Sequence, residues 1–252
     1  MIQLRAASDR GHADYGWLVT HYSFSFGDYY DPGEMGWGAL RVINDDFIAP
    51  GSGFGPHGHK DMEILTYVLS GTLEHRDSLG HGGRLGPGEV QRMSAGRGIR
   101  HSEVNPSPDT PLRLLQIWIE PGQPGREPGY EQRPAPDEAK RGRLLPIASP
   151  DGREGSTTLG QDALVYASLL APGEGLDYTL APERLAYVHL IRGELEINGV
   201  PLSPGDGAKI APEPHRDHLA FRLPSRPETV MSSGQTGTPD LTEFLLFDLP
   251  PL

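Results

Sequence analysis

The chain contains no cysteine, which removes disulfides, thiolate metal ligands and cysteine nucleophiles from consideration. It also lacks any basic block. Its 22 Lys and Arg against 34 Asp and Glu leave a formal net charge of −12, which opposes electrostatically driven binding to nucleic acid or to an anionic membrane. No apolar run is long enough to span a bilayer. The opening Met1, Ile2, Gln3, Leu4 and Arg5 lacks the apolar core of a signal peptide, so a cytoplasmic protein is expected. Helical patterning is scarce too: only residues 136–141 read as a turn of helix, with Pro136 at its start. These absences leave a small or neutral ligand, or a protein partner, as what the chain would bind.

Glycine and proline are in excess, at 33 and 25 of 252 residues. They alternate with β-rich runs such as 65–69 and 186–191, the pattern of many short strands joined by tight turns. A weak internal repeat is visible with glycines as anchors. Residues 67–74 around Gly71 echo 188–196 around Gly193, and 85–93 around Gly88 echo 202–210 around Gly205. Between the halves, residues 120–136 are dense in Pro and Gly and read as a linker. The expected fold is all-β with little helix: two tandem jelly-roll barrels, residues 1–130 and 131–252.

Two short elements carry chemistry, His57-Gly58-His59 and His101-Ser102-Glu103. Side chains at i and i+2 of a strand share a face, so each pair presents two ligand atoms toward one interior volume. Three imidazoles and a carboxylate suit Fe(II), Mn, Ni, Cu or Zn and leave coordination positions for substrate or dioxygen. The donors alone do not choose the metal. Glu63 lies at an even offset from both histidines and points inward if the strand is unbroken. His75 and Asp77 also sit two apart, but turn capping after Gly71 explains Asp77. His12, His21, His81 and His215 have no ligand-like partner at useful spacing. Phe24, Phe26, Tyr29, Tyr30 and Trp37 suit core packing, with some of them able to line an entrance.

Gly53 through His59, Glu63 through Gly71, His75 through Gly80 and Gln91 through Glu103 resemble the two-part cupin motif, and more narrowly the pirin family of bicupins; so does the stretch 23–32. The resemblance is dense from about residue 15 to 120 and diffuse afterwards. It implies a cupin fold and one divalent metal, usually iron, held by His57, His59, His101 and Glu103; Co joins the metals the site would accept. One departure is Gly58, where the family often has proline. In many other cupins the glutamate at the place of Glu63 is itself a ligand, whereas the pirin pattern leaves it to orient a ligand or handle a proton. The resemblance further implies quercetin 2,3-dioxygenase activity on an aromatic or enolisable substrate with dioxygen, with Glu103 as first candidate for the base and Glu63 second. It implies, alternatively, a metal-bound regulator that works through a protein partner without turnover. Counting from the repeat's glycines places Thr179, Ala181 and Leu185 where the first half has His57, His59 and Glu63, and His218 and Ala220 where it has His101 and Glu103. One histidine is too few for a second site.

Overall fold

The computed structural model describes residues 1–211, 217–224 and 241–251. Strands dominate among them, and the one α-helical turn is Asp137–Lys140, led in by Pro136 as the sequence suggests. Among the described residues no helix is long and apolar enough to cross a membrane.

The first half is a nine-stranded antiparallel sheet curled into a barrel. Eight of its strands run in the order Gly11–Asp14, Leu18–Tyr22, Leu40–Ile48, Leu112–Ile119, Gly53–Ser70, Glu89–Val104, Leu73–Asp77, Gly82–Leu85, and the ninth, Gly129–Pro134, pairs with Glu89–Val104 off this path. The second half is a sandwich of a seven-stranded and a four-stranded sheet. Leu170, Val188 and Phe244 of the larger sheet share a core with Leu195, Ile197 and Phe221 of the smaller, and Phe221 stacks on Phe244 at 5.0 Å. The two tandem jelly-roll barrels expected from the repeat are the architecture that forms.

Period-two alternation explains how the halves join. Along Leu112–Ile119, Leu112 and Leu114 enter an apolar cluster inside the first barrel with Leu18, Val68 and Leu73. Gln116 and Trp118 continue that face toward the barrel's other, polar end. The opposite face, Leu115, Ile117 and Ile119, packs with Ile147, Val165 and Phe247 of the second half. The joint also holds a buried polar group. Tyr67 donates to Glu243 at 2.7 Å, and Lys140 donates to the Tyr67 hydroxyl at 2.8 Å and to Glu243 at 2.9 Å, so the buried ammonium is paired rather than stranded.

Two segments differ from the expected layout. The linker region contains a strand, Gly129–Pro134, paired with residues 94–89 of the first sheet, because proline-rich chain is already extended and needs only an open edge. The N-terminal strand Ile2–Arg5 crosses over to pair with Gly207–Ile210 of the second half. The barrels therefore share strands as well as a core.

His189, fully buried at this joint beside Arg10, Asp45 and Arg113, has its pKa pushed down to about 3, by burial first and then by Arg10. The folded state holds it neutral while the unfolded state protonates it near 6.5, so its contribution is complete above about pH 6.5 and is lost as pH falls toward 3. Asp46, pushed up to about 7 chiefly by burial, works in the opposite sense, losing stability as pH rises toward 7. Comparison with a variant isolates the histidine. His189→Gln should flatten the acid-side loss of unfolding free energy by about 1 kcal/mol per pH unit below about pH 6, measured by urea denaturation. Parallel pH curves for the two proteins would contradict this.

Candidate metal centre

The centre is built on the pairing of the two longest strands, Gly53–Ser70 and Glu89–Val104, in which His57 lies directly opposite His101 and His59 opposite Ile99. His57 is fixed by its ring, with Nδ1 2.8 Å from the carbonyl of Gly55, so Nδ1 donates and Nε2 keeps its lone pair. That Nε2 lies 3.1 Å from His101 Nε2. The His59 ring completes a triangle, 4.7 Å from His57 and 4.9 Å from His101, with the edge of Trp118 5.0 Å behind it. His101 is buried, whereas His57 and His59 are half-buried, so the cluster opens to solvent on their side. Burial and the neighbouring imidazoles push His59 down to about 4 and His101 down to about 3, which keeps both rings neutral and available as ligands.

Glu103 sits deeper, buried, on the same face of its strand as His101. One carboxylate oxygen accepts from Thr66 Oγ1 at 3.2 Å and Gln91 Nε2 at 3.0 Å, and the other accepts from Gln116 Nε2 at 2.7 Å. Three polar donors thus satisfy a carboxylate buried at the polar end of the barrel. Ligand atoms of His57, His59 and His101 lie within 4.8 Å of one another, and so do those of His75, His101 and Glu103. His101 belongs to both groups. The donor chemistry fits a transition metal: nitrogens bound at about 2.0–2.1 Å stand roughly 2.8–3.0 Å apart in octahedral sites and roughly 3.3–3.4 Å apart in tetrahedral ones, and the Nε2 pair, at 3.1 Å, lies between.

Glu63 is elsewhere. Between His59 and Asp61 the register slips, because the partner strand spends an extra residue between Ile99 and Gly96, and Asp61 takes a left-handed φ of 66°. The alternation flips there. Ile64, Thr66 and Val68 now face the interior while Glu63 joins Leu65 and Tyr67 on the outer face. Glu63 accepts from Ser94 at 2.6 Å and lies against Gly160 of the second half, where a Cβ would come within 2.5 Å of its Oε1. The strand is not unbroken, so the inward direction expected of Glu63 does not arise. Gly96 makes the slip possible: its φ is 49°, and a Cβ would meet the Arg126 carbonyl.

His75 enters the cluster although capping accounts for its neighbour. Asp77 does cap the turn, accepting from Leu79 N at 2.8 Å and His81 N at 3.0 Å. His75, however, is fully buried, with Nδ1 3.4 Å from His101 Nδ1 and its ring stacked on Tyr130 at 4.7 Å. The i, i+2 spacing of His75 and Asp77, the same as in the other two pairs, was the available signal; Tyr130, inside the apparent linker, gave none. His12 and His21 face each other on paired strands at 4.9 Å, and His81 binds Asp77 at 3.0 Å. His215 lies outside the described residues. Phe24 packs in the core at 5.3 Å from Tyr187, and Trp37 donates to the Ala186 carbonyl at 2.9 Å. Phe26, Tyr29 and Tyr30 instead line a cavity of about 360 Å³ with Met62 and Trp118, the tryptophan that backs His59.

In the second half Thr179 lies directly opposite His218, as His57 lies opposite His101, so the repeat extends to register. His218 is exposed and binds Asp177 at 3.0 Å.

Comparison with known proteins agrees with this architecture. A family profile described as Pirin matches residues 3–119, and one described as the quercetinase C-terminal cupin domain matches 146–222. A protein of Escherichia coli K12 named quercetin 2,3-dioxygenase is 47% identical over 252 residues, covering 100% of both chains. A pirin-like protein of Caulobacter vibrioides is 45% identical over 84% of this chain and 92% of its own. The crystal structure of the bacterial pirin YhhW of Escherichia coli in complex with nickel(II) superposes with a TM-score of 0.88 at 46% identity, covering 100% of each chain.

The amide donors around Glu103 give a direct test. Gln116→Leu removes the 2.7 Å donor from a buried carboxylate and should destabilise the metal-free chain by about 1–3 kcal/mol in urea denaturation. An unchanged midpoint would show that this contact holds nothing in place.

Proposed function

We propose that this chain, which belongs to the pirin family, is a metal-dependent dioxygenase that opens flavonols such as quercetin with dioxygen. The observation that carries the proposal is the convergence of three imidazoles at the half-open end of the first barrel, with Glu103 behind them, in a chain whose relatives bear the name quercetin 2,3-dioxygenase. In this proposal one divalent metal is held by His57, His59, His101 and Glu103, within a metal-binding half of residues 1–130; the half 131–252 holds none. Fe(II) is our first choice, nickel is the ion in the related YhhW complex, and Mn, Cu, Co and Zn also suit the donors. When bound, such an ion supplies Lewis acidity that favours ionisation of the flavonol 3-hydroxyl, and open positions for substrate and dioxygen.

The chain's own groups do the rest. His57 and His59 stand at the solvent side and shape the approach, while Trp118 closes the wall behind His59. Glu103 takes the 3-hydroxyl proton, its carboxylate kept in place by Gln91, Gln116 and Thr66. Glu63, the second candidate for that role, is turned to the outer face of its strand and hydrogen-bonded to Ser94, so the proposal gives the base to Glu103 alone. In this proposal the protein works in the cytoplasm.

One metal per chain should be lost in His57→Ala with His101→Ala, measured by elemental analysis; an unchanged content would break the ligand assignment. Glu103→Gln should lower quercetin turnover per bound metal by roughly 10²-fold or more, followed as oxygen uptake. Wild-type turnover per metal would remove Glu103 as base. A fully loaded chain inert toward every flavonol would favour the regulator that acts through a protein partner.

A further inference from the structure

His75 and Asp77 take no part in the proposed reaction, yet both side chains are fully buried in the wall that carries the cluster. Three adjacent strands set them in rows: Asp77 lies opposite His101, which lies opposite His57, and His75 lies opposite Glu103. His101 Nε2 faces His57, and His101 Nδ1 faces His75 Nδ1 at 3.4 Å. His75 Nε2 is 3.6 Å from Asp77 Oδ2 and has no hydrogen-bond partner. Asp77 cannot swing away, because Oδ1 accepts the backbone N–H groups of Leu79 and His81 and Oδ2 binds His81 Nδ1 at 3.0 Å. Tyr130 stacks on His75 at 4.7 Å and on His81 at 5.6 Å, which fixes the plane of the ring.

Such an arrangement determines where the hydrogens lie. A carboxylate only accepts, so the field of Asp77 favours the His75 tautomer with its hydrogen on Nε2. The Nδ1 of that neutral ring is then a lone pair. His101 therefore faces a lone pair on each side, His57 Nε2 at 3.1 Å and His75 Nδ1 at 3.4 Å, and its single hydrogen can stand on Nδ1 when a metal takes the Nε2 side, because His75 offers it an acceptor there. The opposite tautomer of His75 would force the His101 hydrogen onto Nε2, the atom that faces His57.

We propose that Asp77 and His75 form a positioning relay that gives the His101 Nδ1–H an acceptor and so favours the tautomer with a free Nε2, the form able to bind a metal alongside His57 and His59. This rests on His101 being a metal ligand, as proposed above. Neither relay residue touches the substrate. His75, Asp77 and Tyr130 act by orienting a ligand, the role that hydrogen-bond partners of metal-bound imidazoles commonly fill.

The first test needs no metal and no variant. Long-range 1H–15N correlation on the metal-free, histidine-labelled chain should show His75 protonated at Nε2 and bare at Nδ1; a hydrogen on His75 Nδ1 overturns the relay. Asp77→Asn keeps the turn-capping oxygen but turns an N–H toward His75, so the His75 hydrogen should move to Nδ1, where it opposes a hydrogen on His101 Nδ1, and metal affinity should fall by about 10–100-fold in a competition titration. His75→Asn retains an acceptor near the place of Nδ1 and should stay within about threefold of wild type, with Asp77→Asn adding little in that background. Additive losses mean a merely structural role and overturn the relay, as does a second metal equivalent that disappears with His75, since His75 would then be a ligand. If His101→Ala keeps wild-type metal affinity, the ligand assignment itself fails. If His101 is required but Asp77→Asn changes neither spectrum nor affinity, the relay alone fails.

Discussion

The candidate metal centre depends on one stretch of antiparallel pairing, the register that sets His57 opposite His101. Because side chains alternate with a period of two, a slip of one residue would send every imidazole to the other face. Two irregularities bound this stretch, one between Phe54 and His57 and one between His59 and Asp61. They confine inward-facing histidines to a short segment of a long strand. Beyond the second irregularity the same strand presents Ile64, Thr66 and Val68 to the interior, where Thr66 binds Glu103 while Ile64 and Val68 join apolar clusters. A single strand thus supplies donors at one end and apolar core at the other.

The second half shows the same pairing without the donors. Thr179 and His218 face each other as His57 and His101 do, but Ala181 and Ala220 occupy the remaining places and His218 is drawn to Asp177. Scaffold and chemistry are therefore separable in this fold. What the second half contributes is support: its seven-stranded sheet covers Leu115, Ile117 and Ile119, the outer face of the strand whose inner face carries Gln116 and Trp118. It also accepts the N-terminal strand, which ties the ends of the chain into one body.

Much of this was legible from residues alone. The Gly and Pro punctuation and the echo around Gly71 and Gly193 pointed to two β-barrels, and the His-x-His and His-x-Glu spacing singled out His57, His59 and His101, which the fold brings together, and Glu103, which lies deeper beside His101. Glu63 was misdirected because its side depends on a register slip that requires extra residues in the partner strand, which local spacing does not reveal. The strand Gly129–Pro134 was hidden by composition: Pro and Gly signal a linker, while an edge open to pairing is a tertiary fact. His75 had the right spacing, yet its place beside His101 comes from a third strand paired to the second. The N-terminal crossover, spanning nearly the whole chain, has no local signature at all.

Anomalous diffraction from crystals of the metal-loaded chain, collected at the absorption edge of the ion, tests the central claim most directly. The account predicts one peak per chain, at about 2.0–2.3 Å from Nε2 of His57, His59 and His101 and from a carboxylate oxygen of Glu103. A principal peak between His75 and Glu103 with His57 and His59 unbound, or one beside His218, would contradict it.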